Sequence, residues 1–245
     1  MTPEIGAKYD AFYKARDSAH VYPVEFVVRA VLGTYPRLKP EKLLSPGRHI
    51  LDLGFGDGRN MPLLCNLGME VHGLEITEEI CRRGVERLAA LGYRVEVRVG
   101  RNHQIPYPDG FFDHVLACHA CYYVDPGTTF ADNIKEIARV MKPRGRFVFS
   151  APIGTSYIMD GATDLGDGHM QIANDPYSVR NGYVMKKFDT AADIKAAIAP
   201  YFKNARIGSA RNDWWGIDEQ VWIVVCRRAR GGLSRLGQET PGTLD

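Results

Sequence analysis

The sequence predicts an α/β fold, a doubly wound and mostly parallel sheet, on three observations. Between residues 49 and 151, short apolar runs alternate with stretches of helical spacing. The first run, "HILDLG", empties into Gly54-Phe55-Gly56-Asp57-Gly58. The second, "EVHGLEI", carries Glu75 near its end, about twenty residues on. Strands joined through helices pair in parallel with right-handed crossovers. Both faces of the sheet are then covered, and a ligand crevice is left at the carboxyl ends of the strands.

Each element follows from local chemistry. "PEIGAKYDAFYKARD" and "PVEFVVRAVLGTY" space their apolar residues by three and four, so residues 1–45 are expected to form a helical cap. After the "HILDLG" strand, "MPLLCNL" is a short helix stopped by Gly68, and "EVHGLEI" is the second strand. "TEEICRRGVERLAAL" is a helix with Thr77 as N-cap and Gly92 past its end. "RVEVRV" is the third strand, "PDG" a turn and "FFDHVLAC" the fourth strand. "TTFADNIKEIARVM" is a helix closed by Pro143, and "GRFVFSA" the fifth strand. Residues 152–187, rich in Gly, Asp, Asn and Tyr, are too long for a plain connection. They are either a substrate lid inserted after strand 5 or a disordered stretch. "TAADIKAAIAPYF" is a helix. "NARIGSARND" and "EQVWIVVC" are strands whose short link, "WWGID", favours an antiparallel hairpin at the sheet edge. The ligand-binding domain thus runs over 46–228, and the basic, glycine-rich 229–245 is a disordered tail.

With 245 residues, 45% of them apolar and 24% charged, the chain can bury a full core. A net charge of +2 supplies no strong pull toward nucleic acid or anionic membrane, and "RRARGG" in the tail reads as a solvated charge run. No apolar run approaches the roughly 20 residues of a membrane span. The first residues are charged and lack a secretory apolar core. Five cysteines without framework spacing suit a reducing compartment, so a cytoplasmic location is expected.

A strand running into bare glycines lets backbone approach a ligand where a Cβ would collide, and a carboxylate at position 75 can accept both hydroxyls of a ribose. Dinucleotides want Gly-x-Gly-x-x-Gly, with the pyrophosphate on the helix N-terminus. Here the spacing is Gly-x-Gly-x-Gly, and Asp52 and Asp57 beside it would repel a diphosphate. S-adenosylmethionine, which carries an ammonium and a sulfonium, suits these acids better than a nicotinamide cofactor does. A nicotinamide-dependent oxidoreductase is the weaker reading.

Four segments in order along residues 48–152, "ILDLGFGDGRN", "HGLEIT", "QIPYPDGFFDHVLAC" and "IARVMKPRGRFVFSAP", resemble the successive motifs of class I S-adenosylmethionine-dependent methyltransferases. The hairpin around "VWIVV" is similar to that family's closing strands. The resemblance implies a seven-stranded sheet with an antiparallel last strand, and S-adenosylmethionine as cofactor. It also implies methyl transfer to a small-molecule acceptor through a nitrogen, oxygen or carbon nucleophile. By it, Asp52, Gly54, Gly56 and Gly58 surround the methionine portion, Glu75 holds the ribose hydroxyls and Ile76 packs on the adenine. Phe55, Cys118 and, from the first helix, Tyr13 join the cofactor set. Where the family has an aspartate for the adenine amino group, this chain reads "VGRNHQIPY", with Arg101 in that place. Arginine has no acceptor, so adenine recognition falls to Asn102, with His103 stacking on or capping the ring. The alternative in another class is a noncatalytic S-adenosylmethionine-binding or partner-docking protein.

"ACHACYYVD", residues 117–125, lies at the carboxyl end of the fourth strand. His119 is the candidate general base there, with Asp125 orienting it or binding a cationic acceptor; otherwise His119 satisfies local hydrogen bonds. Cys118-x-x-Cys121 reads as small residues packing near the cofactor, and no metal is expected. Tyr22, Tyr122, Tyr123 and Tyr157 are candidates for an aromatic wall or box around the acceptor. His169 and Arg180 would anchor its polar or carboxylate end, or else serve turn chemistry within the insertion. Helical aromatics such as Phe12 read as core residues. No Asn/Asp-Pro-Pro-aromatic segment supports base flipping, and neither nucleic acid nor membrane is expected as a partner.

Overall fold

Two helices, α1 (Pro3–Ala15) and α2 (Glu25–Leu32), precede the first strand in the computed structural model, which describes residues 3–16, 20–38 and 46–230. Strand β1 (His49–Leu53), α3 (Met61–Asn66), β2 (Glu70–Glu75), α4 (Glu78–Ala90), β3 (Glu96–Val99) and β4 (Phe112–Ala117) follow in strict alternation. Next come a two-residue strand β5 (Tyr123–Val124), α5 (Phe130–Val140) and the long β6 (Met141–Pro152). The insertion carries β7 (Thr163–Asp164), β8 (His169–Gln171) and β9 (Val184–Lys186), and the chain closes with α6 (Ala191–Ile198), β10 (Phe202–Asp213) and β11 (Asp218–Arg228).

Local chemistry fixes the helix starts. The Thr77 hydroxyl accepts the Ile80 N–H at 3.1 Å, as the sequence predicts. α5 opens one residue later than expected, on Thr129, whose hydroxyl and Asp132 carboxylate form a reciprocal capping box; Thr190 and Asp193 do the same for α6. Such caps are worth about 1 kcal/mol each.

The central sheet has seven strands in the order β10-β11-β6-β4-β1-β2-β3. β11 runs against the other strands, pairing antiparallel with both β10 and β6, and the remaining pairs are parallel. Period-two alternation splits the core between its faces. Leu51, Leu53, Val115, Phe147 and Phe149 point into a cluster shared with α5, α6 and the insertion. Ile50, Leu116 and Val148 point into a second cluster with α2, α3 and α4. By the same alternation Asp52 falls on the Ile50 face, where an apolar residue would otherwise sit.

Residues 152–187 are neither plain loop nor disordered. β7, β8 and β9 form an antiparallel sheet whose fourth strand is β5, in the order β5-β9-β8-β7. Met170, Met185 and Phe188 bury this unit against the main core. The insertion is therefore hooked to the segment leaving β4, directly over the carboxyl ends of the central strands. The expected tail, from residue 231 on, lies outside the described residues, as do residues 39–45 of the expected cap. No helix among the described residues is long and apolar enough to cross a membrane.

Candidate functional site

At the carboxyl ends of the strands, a cavity of about 530 Å3 is walled by the turn after β1, the end of β2, the 118–125 segment after β4, α1, the insertion and the β10–β11 hairpin. The turn supplies its floor. Gly54 and Gly56 have φ of +66° and +59°. A Cβ on Gly54 would stand 2.5 Å from the Ala120 Cβ, and one on Gly56 would run into the Tyr13 hydroxyl. A side chain at Gly54 would strike Ala120 and one at Gly56 would have to push Tyr13 aside, each in a left-handed residue, so bare backbone faces the cavity. Gly58 does a different job from the one expected. It does not line the cavity; its φ of +77° brings the chain against Leu88 of α4.

Three acids sit near this turn, with different partners. Asp57 is matched by Arg59, whose Nε donates to it at 2.8 Å. Glu75 accepts the Gly56 N–H at 2.9 Å and the Ile76 N–H at 2.8 Å, and burial pushes its pKa up. Asp52 is 0% exposed, and neither carboxylate oxygen has a hydrogen-bond partner among the described residues. Burial, and then the charges of Glu75 and Asp57, hold its pKa well above the ordinary carboxylate range. It does not itself line the cavity.

Of the other cofactor candidates, Phe55, Ile76, Asn102, Cys118 and Tyr13 line the cavity. The Phe55 ring is wedged under Gly73 and Gly84, where any Cβ would strike it. Asn102 donates its amide to the Ala120 and Tyr123 carbonyls at 2.9 and 3.1 Å, which ties its turn to the 120–123 segment and leaves its oxygen as the acceptor. His103 is not on the cavity wall. Its ring lies beside Asp125, with Nδ1 3.3 Å from Oδ2, at ion-pair distance without a hydrogen bond. The Tyr183 hydroxyl donates to Asp125 Oδ1 at 3.1 Å. Asp125 is thus engaged away from His119 rather than orienting it. Cys118 lines the cavity and Cys121 lies fully buried; burial raises both thiols far above their usual range.

His119 does face the cavity, held in a left-handed conformation at φ +55°. Its backbone N–H donates to Ser150 Oγ at 2.9 Å, and its Nδ1 lies 3.3 Å from the same oxygen. Nε2 is 4.0 Å from Glu219 Oε1, whose other oxygen accepts from Trp214 Nε1 at 3.3 Å. Burial depresses the histidine pKa, so the ring is neutral near pH 7. Neither Ser150 nor Glu219 was signalled by a motif. Ser150 sits mid-strand in an apolar run, and Glu219 at the mouth of a strand 100 residues away in sequence.

Of the acceptor candidates, Tyr122, Tyr123, Tyr157 and Arg180 line the cavity. Tyr22 does not; it is 77% exposed on the connection between α1 and α2. His169 does not either. It stands opposite Lys186 in the small sheet, where β8–β9 pairing fixes it. Helix α1 contributes more than Tyr13: Tyr9, Phe12 and Arg16 also line the cavity, so Phe12 is no core residue. Its ring meets Tyr177 of the insertion edge-on at 6.0 Å, and the Arg16 guanidinium lies over both rings at 4.2 and 4.6 Å. Cap helix and insertion thus touch above the cavity.

Residues 51–149 match the sequence model of a family described as a methyltransferase domain. Among curated proteins, the chain is similar to a demethylmenaquinone methyltransferase of Symbiobacterium thermophilum, 34% identical over 109 residues, 42% of each chain. It is also similar to a protein-L-isoaspartate O-methyltransferase of Methylorubrum extorquens, 33% identical over 112 residues, 45% of this chain and 44% of the relative. The chain thus spans less than half the length of these relatives. Among solved structures, an S-adenosylmethionine-dependent methyltransferase from Methanosarcina mazei superposes with a TM-score of 0.61 at 19% identity, covering 80% of this chain and 98% of that one.

Proposed function

Because the chain carries, over residues 51–149, a methyltransferase domain of the class I S-adenosylmethionine-dependent family, we propose that it methylates a small-molecule acceptor enclosed between α1 and the insertion. One observation carries the reading. A fully buried carboxylate, Asp52, stands without a partner beside a turn whose bare backbone faces the cavity, with Glu75 at the cavity wall. An orphaned buried acid is costly unless a ligand supplies the missing donor. These residues fit S-adenosylmethionine: Asp52, behind the bare turn, would draw an ammonium toward that turn, and ribose hydroxyls can donate to Glu75. Ile76 and the Asn102 oxygen would take the adenine ring and its amino group. A diphosphate would meet the same two carboxylates as repulsion. When bound, the cofactor supplies a methyl group on a positively charged sulfur that leaves as a neutral thioether.

The chain's own residues then position, shield and deprotonate. A base role for His119 requires the tautomer whose Nδ1–H donates to Ser150, which leaves the Nε2 lone pair toward the cavity. Glu219, 4.0 Å away, favours the imidazolium formed once Nε2 takes a proton from the acceptor. Helix α1 and the insertion exclude water from that transfer. A small acceptor is favoured over a protein chain because the ring contacts of Tyr9 with Tyr123 and of Phe12 with Tyr177 roof the cavity. The test is titration calorimetry with S-adenosylmethionine, S-adenosylhomocysteine and reduced nicotinamide cofactor. Saturable binding of the first two alone is expected, and binding of the nicotinamide compound alone would overturn the reading.

A further inference from the structure

We infer that Arg180 is an oxyanion site, so that the acceptor carries a carboxylate or phosphate at one end and its methylated nucleophile at the His119 end. This rests on the transferase reading above and narrows its substrate class. Arg180 lies in the insertion and lines the cavity, its side chain 20% exposed. Its Nε donates to the Tyr123 hydroxyl at 3.1 Å and its Nη1 to Asp175 Oδ1 at 3.0 Å; Nη2 has no hydrogen-bond partner among the described residues. The guanidinium is thus fixed by one edge while another remains uncommitted, in a place largely removed from water.

Asp175 does not cancel this cation at the cavity wall. It is buried, it is not part of the lining, and its carboxylate also accepts the N–H groups of Tyr177, Val179 and Arg180 at 3.2, 3.0 and 2.9 Å. Four donors share that charge, and the result is a turn that aims Arg180. Two phenols near the guanidinium, Tyr9 and Tyr157, stay uncharged near neutral pH because burial raises both, Tyr157 to about 12. Neutral phenols add no negative charge beyond the shared Asp175 carboxylate and can themselves donate to an oxygen anion. A planar fork with free N–H groups fits a carboxylate or phosphate better than any neutral group. Beside His119, Glu219 disfavours an anion and favours a proton-bearing nucleophile.

The test titrates three ligands on one scaffold, 4-hydroxybenzoate, 4-hydroxyphenyl phosphate and neutral 4-hydroxybenzamide, with and without saturating S-adenosylhomocysteine. At least one anion should bind about tenfold or more tightly than the amide. The two anion arms then identify the oxyanion that fits. In Arg180→Gln that preference should vanish, and Arg180→Lys, which keeps the charge without the fork, should retain part of it. Thermal midpoints of both variants verify the fold, and the lysine variant carries the test if the glutamine variant does not fold. Equal affinity for anion and amide, no saturable anion binding up to about 10 mM, or a preference that survives both substitutions would overturn the inference. An Arg180-dependent preference in a protein that ignores S-adenosylhomocysteine would uphold the oxyanion site and sink the transferase reading instead.

Discussion

Asp52→Asn should stabilise the ligand-free protein while weakening its hold on the cofactor. The carboxylate is fully buried, has no hydrogen-bond partner among the described residues and faces Glu75 and Asp57, so its folded-state pKa lies well above the ordinary value. In the unfolded chain it loses its proton near pH 4. Between that pH and its folded pKa the native state binds the extra proton, so stability falls as pH rises through the interval. The loss accrues at no more than about 1.4 kcal/mol per pH unit, and the cost of an unsatisfied buried group sets its scale at about 1–3 kcal/mol by pH 8. Asparagine has no proton to lose. In a chain of this size the variant should melt roughly 3–9 °C above wild type at pH 8 and nearly level with it at pH 4. Glu75, also raised by burial, keeps part of the slope in both proteins. Cofactor binding should move the other way. An ammonium brought to Asp52 ionises it, so wild type should release a proton on binding S-adenosylhomocysteine, seen as a binding enthalpy that tracks the ionisation heat of the buffer. The variant should lose that dependence and bind about tenfold or more weakly. A variant that gains no stability at pH 8 and binds with unchanged affinity would refute the reasoning.

Gly56→Ala places a Cβ against the Tyr13 hydroxyl in a left-handed residue, which costs about 1–2 kcal/mol before any ligand arrives. S-adenosylhomocysteine affinity measured by calorimetry should fall about tenfold while the circular dichroism of the fold persists; an unchanged affinity would mean that the turn is not the cradle. His119→Ala should lower turnover by about 10²–10⁴ with near-normal cofactor affinity. In wild type, turnover should fall as pH drops through the depressed histidine pKa, below the ordinary value of about 6.5. Glu219→Gln, which removes a charge that raises this pKa, should shift the acid limb of the pH–rate profile still lower; a limb that stays in place would remove Glu219 from the account. Phe12→Ala deletes the edge contact to Tyr177 and half of the Arg16 sandwich, about 1–2 kcal/mol of closure, and should raise KM for the acceptor with little change in cofactor affinity.

The strand–helix alternation from His49 to Ala151 was legible because each element is long enough to display its period and is bounded by a cap or a glycine. Thr77, Gly68 and Gly92 are such marks. The small sheet was not legible, since its strands have two or three residues, too few to alternate, and β5 lies about 60 residues from its partner β9. The bare backbone of Gly54 and Gly56 at the cavity was legible from the glycine spacing of the β1–α3 turn, whereas the place of Gly58 against Leu88 was not. Residues joined only by tertiary contact did not. Histidines 103 and 169 were assigned by residue type alone, and each instead meets a partner that a one-dimensional pattern does not name: Asp125 for one, the Lys186 register for the other. Glu219 was hidden for the converse reason. Its role depends on β11 running antiparallel beside β6, which brings the start of the last strand to the carboxyl ends of the others.

The amphipathic pattern of α1 states that the helix packs on something, and Thr77 decides on what. Its hydroxyl accepts the Ile80 N–H as the cap of α4 and donates to Asp10 of α1 at 2.6 Å. Gly6 passes so close that an added Cβ would stand 3.2 Å from the Thr77 methyl. A single side chain therefore starts the helix after β2 and seats the cap helix two residues beyond Glu75. From that seat, Tyr13 reaches the bare turn at Gly56 and Tyr9 reaches Tyr123 at 6.4 Å between ring centroids, while Tyr123 in turn holds Arg180. Glu75, the bare turn at Gly56 and Arg180 are thus linked through one helix that no motif marks. Any motion that admits a ligand beneath α1 must disturb contacts on both sides of the cavity at once, so a ligand seated at the Gly56 turn is expected to order the Arg180 side as well.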